Sequence, residues 1–89
     1  MNSYEFEKAA KQELAKKLNE IYDEDFVPKD ISMVWFGYIL GNRKGLFIDN
    51  GANNRYYEVT HNGENDEMYI DVYMKVRNFK IPIEEFEKG

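Results

Sequence analysis

Few side chains in this chain could exchange a proton, hold a metal or form a covalent bond at neutral pH. His61 is the single histidine, and it closes an apolar run just before Asn62 and Gly63. The only serines are Ser3 and Ser32, so a Ser-His-acid relay has the residue types it needs. Ser3, however, stands where a helical pattern begins and Ser32 where a strand pattern begins, positions that hydroxyls fill as caps or edge residues. A lone histidine beside a turn is more often structural than catalytic. Asp23, Glu24 and Asp25 place three carboxylates in a row, which would interest a divalent cation. Their spacing lacks the alternating ligands and the glycine of a calcium loop, and NGENDE (62–67) lacks them too. Gly37, Gly41 and Gly45 lie within and beside a hairpin pattern, not ahead of a helix, so they read as turn and packing glycines, not as a phosphate loop. With no cysteine in the chain, thiolate nucleophiles, zinc-thiolate sites and disulfides are all excluded. The residues recommend no enzyme, no cofactor and no metal.

The bulk properties agree with a binding protein of modest size. The chain has 89 residues, 43% hydrophobic and 33% charged, with a net charge of -5. A domain of this length buries only about 60–65% of its unfolded surface, so the core is thin. The acidic balance opposes phosphate contacts, and nucleic acid is not an expected partner. The N-terminus, MNSYEFEKAAKQELAKK, is charged throughout and offers neither a signal peptide nor a membrane anchor; together with the absence of cysteine this suggests a reducing cytoplasm.

The elements that must position any site are clearly punctuated. Residues 4–22 carry Phe6, Ala10, Leu14, Leu18 and Ile21 at steps of four, four, four and three, which is one face of a helix. Asn2 can cap it with Glu5 three residues on, and Glu7 with Lys11 and Glu13 with Lys17 are i,i+4 pairs. DEDFVPKD (23–30) is the connection. Four runs rich in β-branched and aromatic residues follow, about 31–40, 44–49, 55–61 and 68–77, separated by GNRK, NGANN and NGENDE. Pro82 should stop the last strand near Ile81 and leave 82–89 as a tail or helical turn. The fold class expected is α+β: one domain spanning 1–89, its N-terminal helix packed on a four-stranded antiparallel meander, order α-β-β-β-β.

Alternation across the strands then sorts the side chains. Pairing Trp35 with Ile48, Ile48 with Tyr57 and Tyr57 with Val72 puts Trp35, Gly37, Ile39, Leu46, Ile48, Tyr57, Val59, Ile70, Val72 and Met74 on the face that receives the helix. The other face holds Val34, Phe36, Tyr38, Leu40, Phe47, Asp49, Tyr56, Glu58, Thr60, Tyr69, Asp71, Tyr73 and Lys75. One helix is about 10 Å wide and four strands span roughly 14–19 Å, so nothing remains to cover this second face. Solvated tyrosines on a half-exposed sheet would account for it. An aromatic patch rimmed by acids also has the composition of an interface, and the partner-binding residues expected are Phe36, Tyr38, Phe47, Tyr56, Glu58, Tyr69, Asp71 and Tyr73.

VWF (34–36), Leu40, Asn42, Lys44 and Leu46, then YYEVTHNG (56–63), Glu67, Tyr69, Asp71, Tyr73 and Lys75 resemble an uncharacterised family of small proteins encoded by phages and prophages of low-GC Gram-positive bacteria. The resemblance covers residues 34–77. It implies a phage accessory protein in a bacterial cytoplasm, without naming an activity. Three functions are open: a noncatalytic module that binds a host protein or itself as a homodimer, in host takeover or antidefence; a nucleotide sponge in which Arg43, Arg55, Lys75 or Arg77 meets phosphates; and an acidic DNA mimic.

Overall fold

The computed structural model describes residues 1–51 and 54–84. Helix α1 (Ser3–Tyr22) begins where the cap is satisfied in both directions: Asn2 Oδ1 accepts from the Glu5 amide at 2.8 Å, and the Glu5 carboxylate accepts from the Asn2 amide at 2.9 Å. Phe6, Ala10, Leu14, Ala15 and Leu18 are its buried stripe. Ile21, expected to extend that stripe, is exposed. Glu7 and Lys11 pair at 2.6 Å, whereas Lys17 reaches Glu20 at 3.4 Å. Asp23 ends the helix in the left-handed region, and Asn19 folds the exit back by donating to the Phe26 carbonyl at 2.9 Å and accepting its amide at 2.8 Å. A single 3-10 turn, Pro28–Asp30, then delivers the chain to the sheet. No helix among the described residues is long and apolar enough to cross a membrane.

Strands β1 (Ile31–Ile39), β2 (Asn42–Asp49), β3 (Arg55–Asn62) and β4 (Glu67–Met74) form one antiparallel sheet in the order β1-β2-β3-β4. The α+β meander is therefore the fold. Two local features shape β1 and its hairpin. The first hairpin turns at Leu40 and Gly41, with φ of 51° and 81°, so Ile39 pairs with Asn42 and GNRK belongs to the turn only through its glycine. A type I′ hairpin turn needs positive φ at both central positions, which Gly41 adopts freely and a leucine adopts only under strain. Further back, the register shifts between Met33 and Trp35, a bulge at Val34.

The expected faces of β1 and β2 are inverted relative to β3, because β2 pairs with β3 one residue away from the expected register. Trp35 pairs with Leu46, and Phe47, not Ile48, pairs with Tyr57; the pairing of Tyr57 with Val72 is as expected. Phe36, Gly45, Phe47 and Asp49 lie toward the helix, and Trp35, Gly37, Ile39, Leu46 and Ile48 lie away from it. The core is Phe6, Ala10, Leu14, Ala15 and Leu18 on Ile31, Phe47, Tyr57 and Val59. The Phe6 ring sits 5.4 Å from Phe36 and 6.2 Å from Phe47. It can descend this far because Gly45 lies beneath it: a Cβ there would stand 3.0 Å from Phe6 and 2.8 Å from Phe47. Strand β4 ends at Met74, short of the expected residue 77, and the Lys75 amide donates to the Asn54 carbonyl at 2.7 Å. The expected tail is described only as far as Glu84; its remainder lies outside the described residues.

Candidate functional site

On the face away from the helix, cross-strand pairing assembles rows of side chains. Trp35, Leu46, Glu58 and Asp71 follow one another across the four strands, and Gly37, Lys44, Thr60 and Tyr69 form the next row. Tyr56 pairs with Tyr73, their rings stacked at 4.9 Å and 13°. The Trp35 indole lies across Gly37, where an added Cβ would meet its ring carbons at 2.5 and 2.8 Å. Lys44 Nζ meets Glu58 at 3.1 Å, and the Tyr69 hydroxyl donates to the Glu67 carboxylate. The hydrogen bond to Glu67 raises the Tyr69 pKa, and the charge of Glu58 foremost raises that of Tyr73. Both phenols remain neutral donors. Trp35, Ile39, Ile48, Tyr56, Tyr69 and Tyr73 are all exposed.

The expected binding residues divide between the two faces. Tyr56, Glu58, Tyr69, Asp71 and Tyr73 come together on the outer face. Phe47 is fully buried and Phe36 is half-buried against the core, so neither belongs there. Tyr38 lies on their side of the sheet but is exposed, with the Arg43 guanidinium 5.2 Å from its ring centre. The residues that take the vacated places are Trp35, Ile39, Leu46 and Ile48. The register of β2 on β3 puts them there, and the LFI run, apolar on both faces, does not announce it.

The helix side holds a polar cluster that the sequence does not suggest. The Tyr57 hydroxyl donates to the Asp49 carboxylate, and Arg55 Nε donates to the Tyr57 hydroxyl at 3.1 Å. The Arg55 guanidinium also meets Glu24 at 2.8 Å and Asp49 at 3.6 Å, and it stacks 4.0 Å from the centre of the Tyr22 ring. Burial foremost, then the bond to Asp49, raises the Tyr57 pKa. Burial opposes the charge on Arg55, but the hydrogen bond to Glu24 and the neighbouring charges more than offset it and raise its pKa. The cluster joins the loop after α1 to β2 and β3. It uses Glu24 from the acidic run as an ion-pair partner, and among the described residues no group of three or more acids and histidines is placed to hold a metal.

His61 is buried on the helix side; its Nε2 lies 2.9 Å from Asp66, and its Nδ1 is buried with no partner. Ser32 is on the opposite face, across from Ile48, so no Ser32-His61 relay is assembled. Of the four cations considered for phosphate, Arg55 is committed to carboxylates. It lines a shallow cavity of about 400 Å³ together with Lys75, Arg77 and Tyr56. A larger cavity of about 610 Å³ runs between α1 and β4, bounded by Ala9, Glu13, Lys17 and Ile21 on the helix and by Met68, Ile70 and Val72 on the strand, with His61 and Asp66 also lining it.

The model of a family of unknown function, DUF6275, matches residues 7–83. No curated protein and no solved structure matches the chain.

Proposed function

The chain belongs to DUF6275, and we propose that it is a noncatalytic binding protein that docks a host protein on the outer face of its sheet. The observation that carries this reading is the uncovered row structure of that face: Trp35, Ile39 and Ile48 beside the stacked Tyr56 and Tyr73, with Glu58 and Asp71 among them. Aromatic anchors at the centre and charges around them have the composition of a protein interface. Stacking holds the Tyr56 and Tyr73 rings before a partner arrives, which lowers the ordering cost of binding. The surface fits a partner that offers an apolar projection flanked by lysine or arginine, since Asp71 would pair with such a cation beside the Glu58–Lys44 pair.

The likeness of residues 34–77 to small phage and prophage proteins supports a setting in a bacterial cytoplasm and a role as a phage accessory factor. Host takeover and antidefence are both exercised by occupying a protein surface, and neither needs a catalytic group. A photo-crosslinking residue at Tyr56, in bacterial cells that express the chain, should give a discrete adduct with one host protein. The same residue at Tyr4, on the exposed side of α1, should not. The adduct should disappear on a Trp35→Ala/Tyr73→Ala background that remains folded. Equal adducts from both positions, or an adduct indifferent to the paired substitution, would sink the reading.

A nucleotide sponge is the second reading, favoured by the convergence of Lys75, Arg77 and Tyr56 on the smaller cavity. Stabilisation against heat by cyclic or linear nucleotides, lost in Arg77→Ala, is its expected mark.

A further inference from the structure

The groove between α1 and β4 is floored by half-buried apolar residues, and the segment that follows β4 carries exposed ones. We propose that each is completed by a second copy of the chain, residues 76–83 of one protomer lying in the groove of the other. Met68, Ile70 and Val72 form the floor of the groove and Ala9 and Ile21 its helical wall. Helix α1 sits toward β1 and β2, so this floor is only half-covered.

From Lys75 to Pro82 the chain makes no turn, bend, helix or ladder. Phe79 and Ile81 recur at the strand period, so an extended backbone there puts them on one side with Arg77, and Asn78 and Lys80 on the other, while Ile83 lies in a turn. All three apolar residues are exposed, Phe79 at 74%. The radius of gyration, 15.9 Å, exceeds the roughly 12 Å of a compact chain this long. The segment projects from the body as an arm.

The arm cannot reach the groove of its own chain as it stands. The floor residues 68–72 immediately precede it, so a return would need a reversal near residues 75–78, and the backbone makes none there. A second copy meets the requirement without any reversal. Each protomer has one arm and one groove, so a two-fold exchange fills both and closes the assembly. Charge agrees in net: Glu13 and Asp66 outnumber Lys17 in the groove lining, and the arm brings Arg77 and Lys80. Pro82 is also at home in such a contact, which asks for side-chain burial and no ladder donor. The outer face is left free in both copies, which would present two docking surfaces instead of one.

Sedimentation equilibrium of the full chain should give twice the single-chain mass. Phe79→Asp/Ile81→Asp should sediment as a single chain with an unchanged far-ultraviolet spectrum, because both positions are exposed and support no core. In a chain without native cysteine, Ile70→Cys/Ile81→Cys should oxidise to a covalent dimer on a denaturing, nonreducing gel. A single-chain mass for the wild type would overturn the exchange. So would a dimer indifferent to the arm substitutions, or a disulfide that closes a loop within one chain and thereby assigns the groove to the chain's own arm.

Discussion

The two halves of the helix-facing side are both apolar and differ in cover. Over β1 and β2, Phe6 presses onto Gly45 between Phe36 and Phe47, and the half is closed. Over β4, Met68, Ile70 and Val72 are only half-buried and line an open groove. One helix has the width to cover about two strands. What decides which two is a missing side chain: only at Gly45 can an aromatic ring from the helix approach the sheet backbone. Apolar content tells where a helix could rest, and small residues tell where it does.

Truncation should separate the halves most widely. Phe47→Ala is expected to cost about 3–5 kcal/mol, since the ring is fully buried and leaves a cavity. Ile70→Ala, at the rim of the open groove, is expected to cost about 1 kcal/mol in the isolated protomer, where its side chain is only half-buried. Urea unfolding at low protein concentration measures both. Equal losses would break the contrast between halves. Gly45→Ala should cost about 1–3 kcal/mol by forcing Phe6 and Phe47 apart, and the companion substitution Phe6→Leu should recover part of it if the clash with the ring is the cause.

Tyr57 belongs to the boundary between the halves, and its effect depends on pH. Its folded pKa is raised above the ordinary value of 10.0, so its contribution to stability is complete below that value and is lost as pH rises beyond it. Wild type should therefore lose stability above about pH 10 more steeply than Tyr57→Phe. Parallel curves would remove the hydroxyl from the account. The smallest change is expected at the tip of the closed half. Leu40 holds φ 51° and is 94% exposed, so Leu40→Gly should stabilise by about 0.5–1 kcal/mol through relief of the left-handed conformation. Thermal unfolding would register it as a rise of a few degrees, with no change in the outer face.

Much of this was legible in the residues. The helix is written in Asn2, Glu5 and the spacing of Phe6, Ala10, Leu14 and Leu18, and the meander is written in the three turn-rich separators. The pairing of Tyr57 with Val72 follows from the clean alternation of β3 and β4. Strands β1 and β2 carried no such sign, because MVWFGYI and LFI are apolar on both faces, and a pattern that is apolar on both sides cannot say which side is inside. One residue of register between β2 and β3 then inverted the assignment, exchanging Phe47 for Ile48 and, through the pairing of β1 with β2, Phe36 for Trp35. The outer site was legible where acids and tyrosines alternate with Val and Ile, at Tyr56, Glu58, Tyr69, Asp71 and Tyr73. Its tryptophan was not.

That tryptophan lies flat only because Gly37 has no side chain to prop it up. Any larger residue at 37 would tilt the indole off the backbone and turn a low, broad patch into a ridge, while Phe6, Phe47 and the rest of the core on the other side of the sheet stay as they are. The topography of the docking face is thus adjustable at a position whose cost to folding is small, so relatives that differ at this one site could present different reliefs from the same scaffold.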